Sequence, residues 1–255
     1  MAKTMFQAVV GTKKPHGDSS QWTKKTKDKV VKFENAIQKR TKASVSKFLG
    51  VGSRGIAFAL SNGNVLKLTD DRTEASASAT LKGKSLKNVV SIYDVFQLGE
   101  LPIYGIVQER IKPLKSSYKR LVTLIWSYWY DDDKRATAIK AKHAGKVLSL
   151  FEKNLVKRSK HTLGFLPRIT TDDISLVANN TNSTKQLLNG LLELAKNNIV
   201  YVDVDIENVG IASDGVFKIF DLGYSRVPVV AAPAIKEAKR FAGLKLWAER
   251  VATNS

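Results

Sequence analysis

The 255-residue chain contains no cysteine at all. Disulfides and thiolate-bound metals are thereby excluded, and the composition is compatible with a reducing compartment. Acidic residues are scarce: 23 Asp and Glu stand against 42 Lys and Arg, for a formal net charge of +19. Long apolar runs are missing too. The opening MAKTMFQAVVGTKKPHGDSS has no hydrophobic stretch suited to a signal peptide, and no window reaches membrane-spanning length. These absences predict a soluble protein of the cytoplasm, with no membrane partner. What is present is ordinary for a folded chain. Hydrophobic residues make up 43%, enough for one large domain or two lobes with a buried core.

So large a positive charge attracts something anionic. It is concentrated in two places. Residues 1–49 carry 12 basic and 3 acidic side chains, and residues 110–160 carry 14 and 4. An acidic protein substrate or a nucleic-acid-associated assembly fits this pattern, and so does direct nucleic-acid binding. The plain alternative is a strongly solvated surface.

Residues 1–28 are rich in Lys, Ser, Thr and Gly and read as an arm. From Lys27 the spacing of Val30, Phe33 and Ile37 predicts a basic amphipathic helix to about Lys42. Residues 47–69 alternate like strands around Asn62-Gly63, a tight-hairpin signal. A short helix containing Glu74 follows, then strands near 89–98 and 103–110. Three-to-four spacing of apolar residues predicts helices over 117–130, 134–156 and 184–197. Domain boundaries are therefore expected at 1–45 for the arm and helix, 46–111 for a mainly β unit, and 112–255 for a mainly helical one. Trp126, Tyr128, Trp129 and Tyr130 lie beside Lys and Arg and could stack bases. Their helical spacing favours a packed core.

The stretch IVYVDVDIENVGIASDGVFKIFDLG, residues 199–223, gathers acids in a basic chain. Asp203 is followed five residues later by Asn208, then a hairpin turning at Asp214-Gly215, then Asp221 before Leu222-Gly223. Such oxygen donors suit magnesium held together with phosphates. Upstream, Gly50-x-Gly52-x-x-Gly55 bridges two strands, where absent side chains let backbone N–H groups approach a phosphate. Lys67 sits in an alternating strand, and Glu74 on the next helix is placed to pair with it.

Each feature is weak alone. Their order is specific: glycine hairpin, strand lysine, helix glutamate, a strand ending at Glu109, an apolar helix, Asp-x4-Asn, hairpin, Asp-x-Gly. In that order the chain resembles the protein-kinase-like superfamily over about residues 46–112 and 184–224. The resemblance implies an α+β, two-lobed fold, with an antiparallel β N-lobe bearing one helix and a helical C-lobe of shortened topology. It implies ATP and Mg2+ as cofactors. Gly50, Gly52 and Gly55 would cover the phosphates, Lys67 would hold them, and Glu74 would orient Lys67. The segment Gln108, Glu109, Arg110, Ile111 would be the hinge that reads adenine. Asp203 would orient the attacking hydroxyl and take its proton, while Asn208 and Asp221 would ligate magnesium.

The chain departs from the family in four respects. Tyr201-Val202-Asp203 replaces His-Arg-Asp, so control by a phosphorylated loop loses its arginine and activity is expected to be constitutive. Asp205 stands where protein kinases carry a lysine near the transferred phosphate. Leu222 replaces Phe in Asp-Phe-Gly. Only 32 residues follow Gly223, whereas 112–183 is long, a placement similar to that of aminoglycoside and choline kinases and of compact bacteriophage kinases. The leading expectation is a compact, bacteriophage-type Ser/Thr protein kinase, working in the host cytoplasm if phage-encoded. A small-molecule kinase and a nucleotide-binding pseudokinase or basic nucleic-acid-associated module are the alternatives.

Overall fold

In this computed structural model the described residues are 35, 37–51, 54–98, 103–159, 169–201, 203–223, 225 and 234–235. The basic arm, most of the helix expected from Lys27, Gly52, Val202 and nearly all of the chain after Ser225 lie outside them. Residues 37–41 are helical. The described chain is α+β and divides into two compact units. The first comprises the described residues up to Lys84, Ser91–Arg110 and 234–235; the second comprises Ser85–Val90 and Ile111 through Ser225.

The first unit is built on a sheet. Its strands are β1 (Val45–Val51), β2 (Gly55–Leu60) and β3 (Val65–Thr69), then β4 (Ile92–Leu98) and β5 (Tyr104–Gln108). They lie in the order β1-β2-β3-β5-β4, every neighbouring pair antiparallel. The two-residue strand Ala234–Ile235 adds in parallel beside Gln97 and Leu98. The β2–β3 turn is the expected one: Gly63 has φ +85°, and the Leu60 N–H donates to the Asn64 carbonyl at 2.8 Å. Central β3 is buried at every position but Lys67, which explains why Val and Leu fill it.

Between β3 and β4 runs α1 (Arg72–Leu81). Asp71 starts it, its Oδ1 accepting from the Thr73 N–H at 2.8 Å and the Glu74 N–H at 3.3 Å. Burial pushes Asp71 up, but the Thr73 hydroxyl and the Arg54 guanidinium more than offset it, leaving its pKa below the usual carboxylate range. The buried face of α1 consists largely of Ala75, Ser76, Ala77 and Ser78. Such small side chains let the helix backbone approach its neighbours closely.

Gly105 in β5 makes a comparable allowance. A Cβ there would come within 2.3 Å of two ring atoms of Phe96, a fully buried side chain on β4. Gly105→Ala is expected to lower stability by about 1–3 kcal/mol in urea unfolding, because Phe96 must leave its rotamer. Restoration by a second change, Phe96→Leu, is the accompanying check; no loss in the single variant would refute the steric reading.

The second unit contains α2 (Lys119–Trp129), α3 (Asp132–Ala141), α4 (Ala144–Ser159), α5 (Thr171–Asn179) and α6 (Thr181–Lys196). It also holds a small antiparallel sheet of β6 (Lys112–Pro113), β7 (Val209–Ile211) and β8 (Phe217–Ile219). The helices differ from expectation in two places. The span 134–156, read as a single helix, is two: the chain turns at Lys142, whose φ of +58° ends α3. Only Ala138 of α3 is buried, so apolar spacing could not mark this boundary. The second difference is α5, which was not expected. Its start is a capping box, with the Thr170 side chain accepting from the Asp173 N–H and the Asp173 carboxylate accepting from the Thr170 N–H at 2.8 Å.

Asp173 also ties α5 to α2. Its two oxygens accept from Arg120 Nε at 2.6 Å and Nη2 at 2.5 Å, and this pairing holds its pKa below the usual range. The aromatic cluster at the end of α2 is partly interior. Tyr128 and Trp129 are buried, Tyr128 packing edge-on against Phe151, while Tyr130 is exposed. Segment 85–90 is pinned to this unit. The Glu193 carboxylate on α6 accepts from the N–H groups of Lys87 and Asn88, and the Val90 N–H donates to the Ile219 carbonyl at 2.8 Å.

Candidate functional site

The candidate residues fall into two groups, one in each unit. In the first, β3 carries Lys67 and α1 carries Glu74, and Lys67 Nζ stands 2.5 Å from Glu74 Oε1. The glutamate side chain is only 4% exposed and the lysine 16%. Burial of this kind strengthens a charge pair and makes loss of either partner costly. Gly55 contributes by having no side chain: a Cβ would lie 3.2 Å from Lys67 Cε and 3.0 Å from the Leu68 carbonyl oxygen. Gly50 lies in β1 with open space beside its Cα. Gly52, the middle glycine of the pattern, lies outside the described residues.

The expected adenine-reading segment is partly committed elsewhere. Gln108 is buried in β5, in register with Val65 on one side and Ile92 on the other. The Glu109 N–H donates to the Ser91 carbonyl at 2.9 Å, and Glu109 Oε2 accepts from the Ser91 N–H at 3.2 Å. The Glu109 amide is thus used inside the unit. Ile111 belongs to the second unit, where its side chain lies against Gly210.

That second unit brings Asp203, Asn208 and Asp221 together. Asn208 donates from Nδ2 to both the Asp203 carbonyl, at 2.8 Å, and Asp203 Oδ2, at 2.9 Å. Its amide oxygen is thereby turned away from Asp203. The Asn208 carbonyl accepts from the N–H groups of Phe220, at 2.9 Å, and Asp221, at 3.5 Å, which stitches the two acidic loops side by side. Asp221 Oδ1 accepts from the Gly223 N–H at 3.0 Å, and Leu222 is buried beneath. Behind the loop, Trp129 Nε1 donates to the Tyr201 carbonyl at 3.1 Å. Sequence reading placed Trp129 in the core but did not give it this positioning contact.

Burial raises the pKa of Asp203, the Asn208 hydrogen bond opposes that, and the negative charges of Asp221 and Asp205 push it further up. The balance favours the neutral acid more than in an ordinary carboxylate. A cation between Asp203 and Asp221 would relieve this repulsion. Among the described residues no three His, Asp or Glu side chains converge as a metal cluster. The Asp221 carboxylate and the Asn208 amide both bring side-chain oxygens to this group of residues. A set of few hard oxygens fits magnesium, which keeps waters and takes phosphate oxygens for its other positions.

Asp205 has a structural task. It precedes the 3-10 turn Ile206–Asn208, and its Oδ1 accepts from the Glu207 N–H at 3.0 Å. Its own N–H donates to the Asp203 carbonyl, and its carbonyl accepts from the Asn208 N–H. Its position before Ile-Glu-Asn is a capping signal that sequence reading passed over. Asp205→Asn keeps an acceptor and should leave denaturant stability nearly unchanged, whereas Asp205→Ala should lose roughly 1 kcal/mol. Equal losses in the two variants would dismiss the cap.

No protein-family model matches the chain, and a search of curated proteins finds no match.

Proposed function

We propose that the chain is a Mg2+-ATP-dependent phosphotransferase of protein-kinase-like, two-lobed fold, most simply a Ser/Thr protein kinase. The observation that carries this reading is the hydrogen-bonded arrangement of Asp203, Asn208 and Asp221, with its surplus of negative charge. The five-stranded antiparallel sheet with one helix, and the Lys67–Glu74 pair within it, support it independently.

In the proposed mechanism Lys67, held by Glu74, neutralises phosphate charge on the nucleotide. Asn208 and Asp221 would hold magnesium, which would supply positive charge against the phosphate oxygens. Asp203 would fix the acceptor hydroxyl and accept its proton as the oxygen bonds to the γ-phosphorus and the bond to the bridging oxygen breaks, releasing ADP. Positioning and charge neutralisation supply most of the rate in such chemistry. The raised pKa of Asp203 makes it a better base than a free carboxylate. The basic surface suits an acidic protein substrate met in a cytoplasm.

The test incubates purified protein with labelled ATP and magnesium, with and without added protein, followed by mapping of phosphosites. Label on serine or threonine supports a protein kinase. Transfer to small hydroxylated molecules alone supports the small-molecule reading, which the run of helices α2 to α5 ahead of the catalytic loop favours. No transfer at all, with nucleotide still bound, supports a pseudokinase.

A further inference from the structure

Helix α4 bears a feature the phosphotransfer reading does not use. Its buried face is Ala144, Val147, Leu148, Phe151, Leu155 and Arg158. On the opposite side stand Lys146, Lys153 and Lys157, all exposed. Their spacings of seven and four residues keep them within about 40° of one another around the axis at about 100° per residue, spread over roughly 16 Å of helix at 1.5 Å rise. Among the described residues none of the three makes an ion pair. Lys142, in the turn before the helix, is also exposed, and among the described residues it makes no ion pair. Among the described helices no other carries three unpaired lysines on a single line.

We propose that the Lys146–Lys153–Lys157 stripe of α4 binds the phosphodiester backbone of nucleic acid. Duplex DNA is a rod with one charge per about 1.7 Å of axis, so a straight row of cations can follow it. Two competing partners fit less well. Cores of protein interfaces are depleted in Lys and enriched in aromatics and Arg, and this stripe offers lysine alone. A membrane-binding helix turns its apolar face to the lipid, whereas here Val147, Phe151 and Leu155 are committed to the protein core. Lysine on a flexible stem contributes charge without base-edge geometry, so binding is independent of sequence. The stripe would hold the protein near anionic assemblies whatever its catalysis.

The test measures anisotropy of a labelled DNA duplex, and separately of a labelled RNA single strand, with the full chain between about 50 mM and about 200 mM salt. The comparison is with the triple variant Lys146→Gln, Lys153→Gln, Lys157→Gln, its fold checked by circular dichroism. Wild type is expected to bind in a salt-dependent manner. The triple variant should show a log–log salt slope shallower by about 2–3 on the duplex, somewhat less on the single strand. A control variant, Lys185→Gln with Lys196→Gln on α6, should keep the wild-type slope. Failure of wild type to bind either nucleic acid would overturn the proposal. So would an unchanged slope in the triple variant, or an equal loss in the control. Equally tight, stripe-dependent binding of poly-glutamate or of anionic vesicles would transfer the surface to those partners. Asp203→Asn should bind as wild type does, so this result stands or falls separately from the kinase reading.

Discussion

Replacing Asp203 with Asn should cut phosphotransfer by roughly 100-fold to 10,000-fold, the ordinary cost of losing a general base. Nucleotide affinity should hardly change. Asp203 accepts from Asn208 and feels the charge of Asp221, but the proposed magnesium ligands are Asn208 and Asp221. The wild-type rate should fall on the acid side as Asp203 takes up its proton, an uptake that burial and its acidic neighbours favour. Stability should move the other way. A carboxyl whose folded pKa is raised contributes most below its unfolded value, and that contribution is lost as pH rises through the folded value. At neutral pH the charged Asp203 is therefore a burden, and the Asn variant should melt at a higher temperature than wild type. The gain should vanish once both forms of the wild type are protonated in acid. Initial rates, calorimetric ATP titrations and melting curves across pH are the measurements. A variant with wild-type turnover, or one that melts lower at neutral pH, would count against the role.

Asp221→Asn should behave differently and more severely. Its carboxylate is the charged member of the two proposed magnesium ligands, and its Oδ1 also accepts from the Gly223 N–H. The Asn oxygen can keep that hydrogen bond while losing the charge. Activity should disappear, and ATP affinity should fall in magnesium but much less in EDTA, because the missing attraction acts through the metal. The decisive comparison is the ratio of affinities with and without magnesium for the two variants. Equal ratios for Asp203→Asn and Asp221→Asn would abolish the division of labour between base and metal ligand.

Much of the fold was legible because it depends on local rules. Asn62-Gly63 and Asp214-Gly215 specify turns through positive φ at glycine, and both glycines adopt it. Alternation placed β1 to β3, and spacing placed α2 and most of α6, but the short strands Lys112–Pro113 and Ala234–Ile235 were not expected. The break at Lys142 escaped because α3 buries almost nothing, leaving no apolar rhythm to interrupt. Helix α5 escaped because nine residues give too short a period to read. Its capping box was the surviving signal.

For the candidate site, the sequence determined which chemical groups are available: the lysine, the acids and the amide, in an order that chain connectivity fixes. Only the tertiary structure decided what each does to the next. Asn208 turns its donor to Asp203 because the Asp205 cap winds the intervening residues into a 3-10 turn. Asp221 arrives beside them because the β7–β8 hairpin returns the chain to the Asn208 carbonyl. The raised pKa of Asp203 is a property of that assembly, since burial and like charge act through space and not along the chain. The lysine line on α4 is the opposite case: helical periodicity alone put it in register, but only burial of the facing side showed that it looks outward.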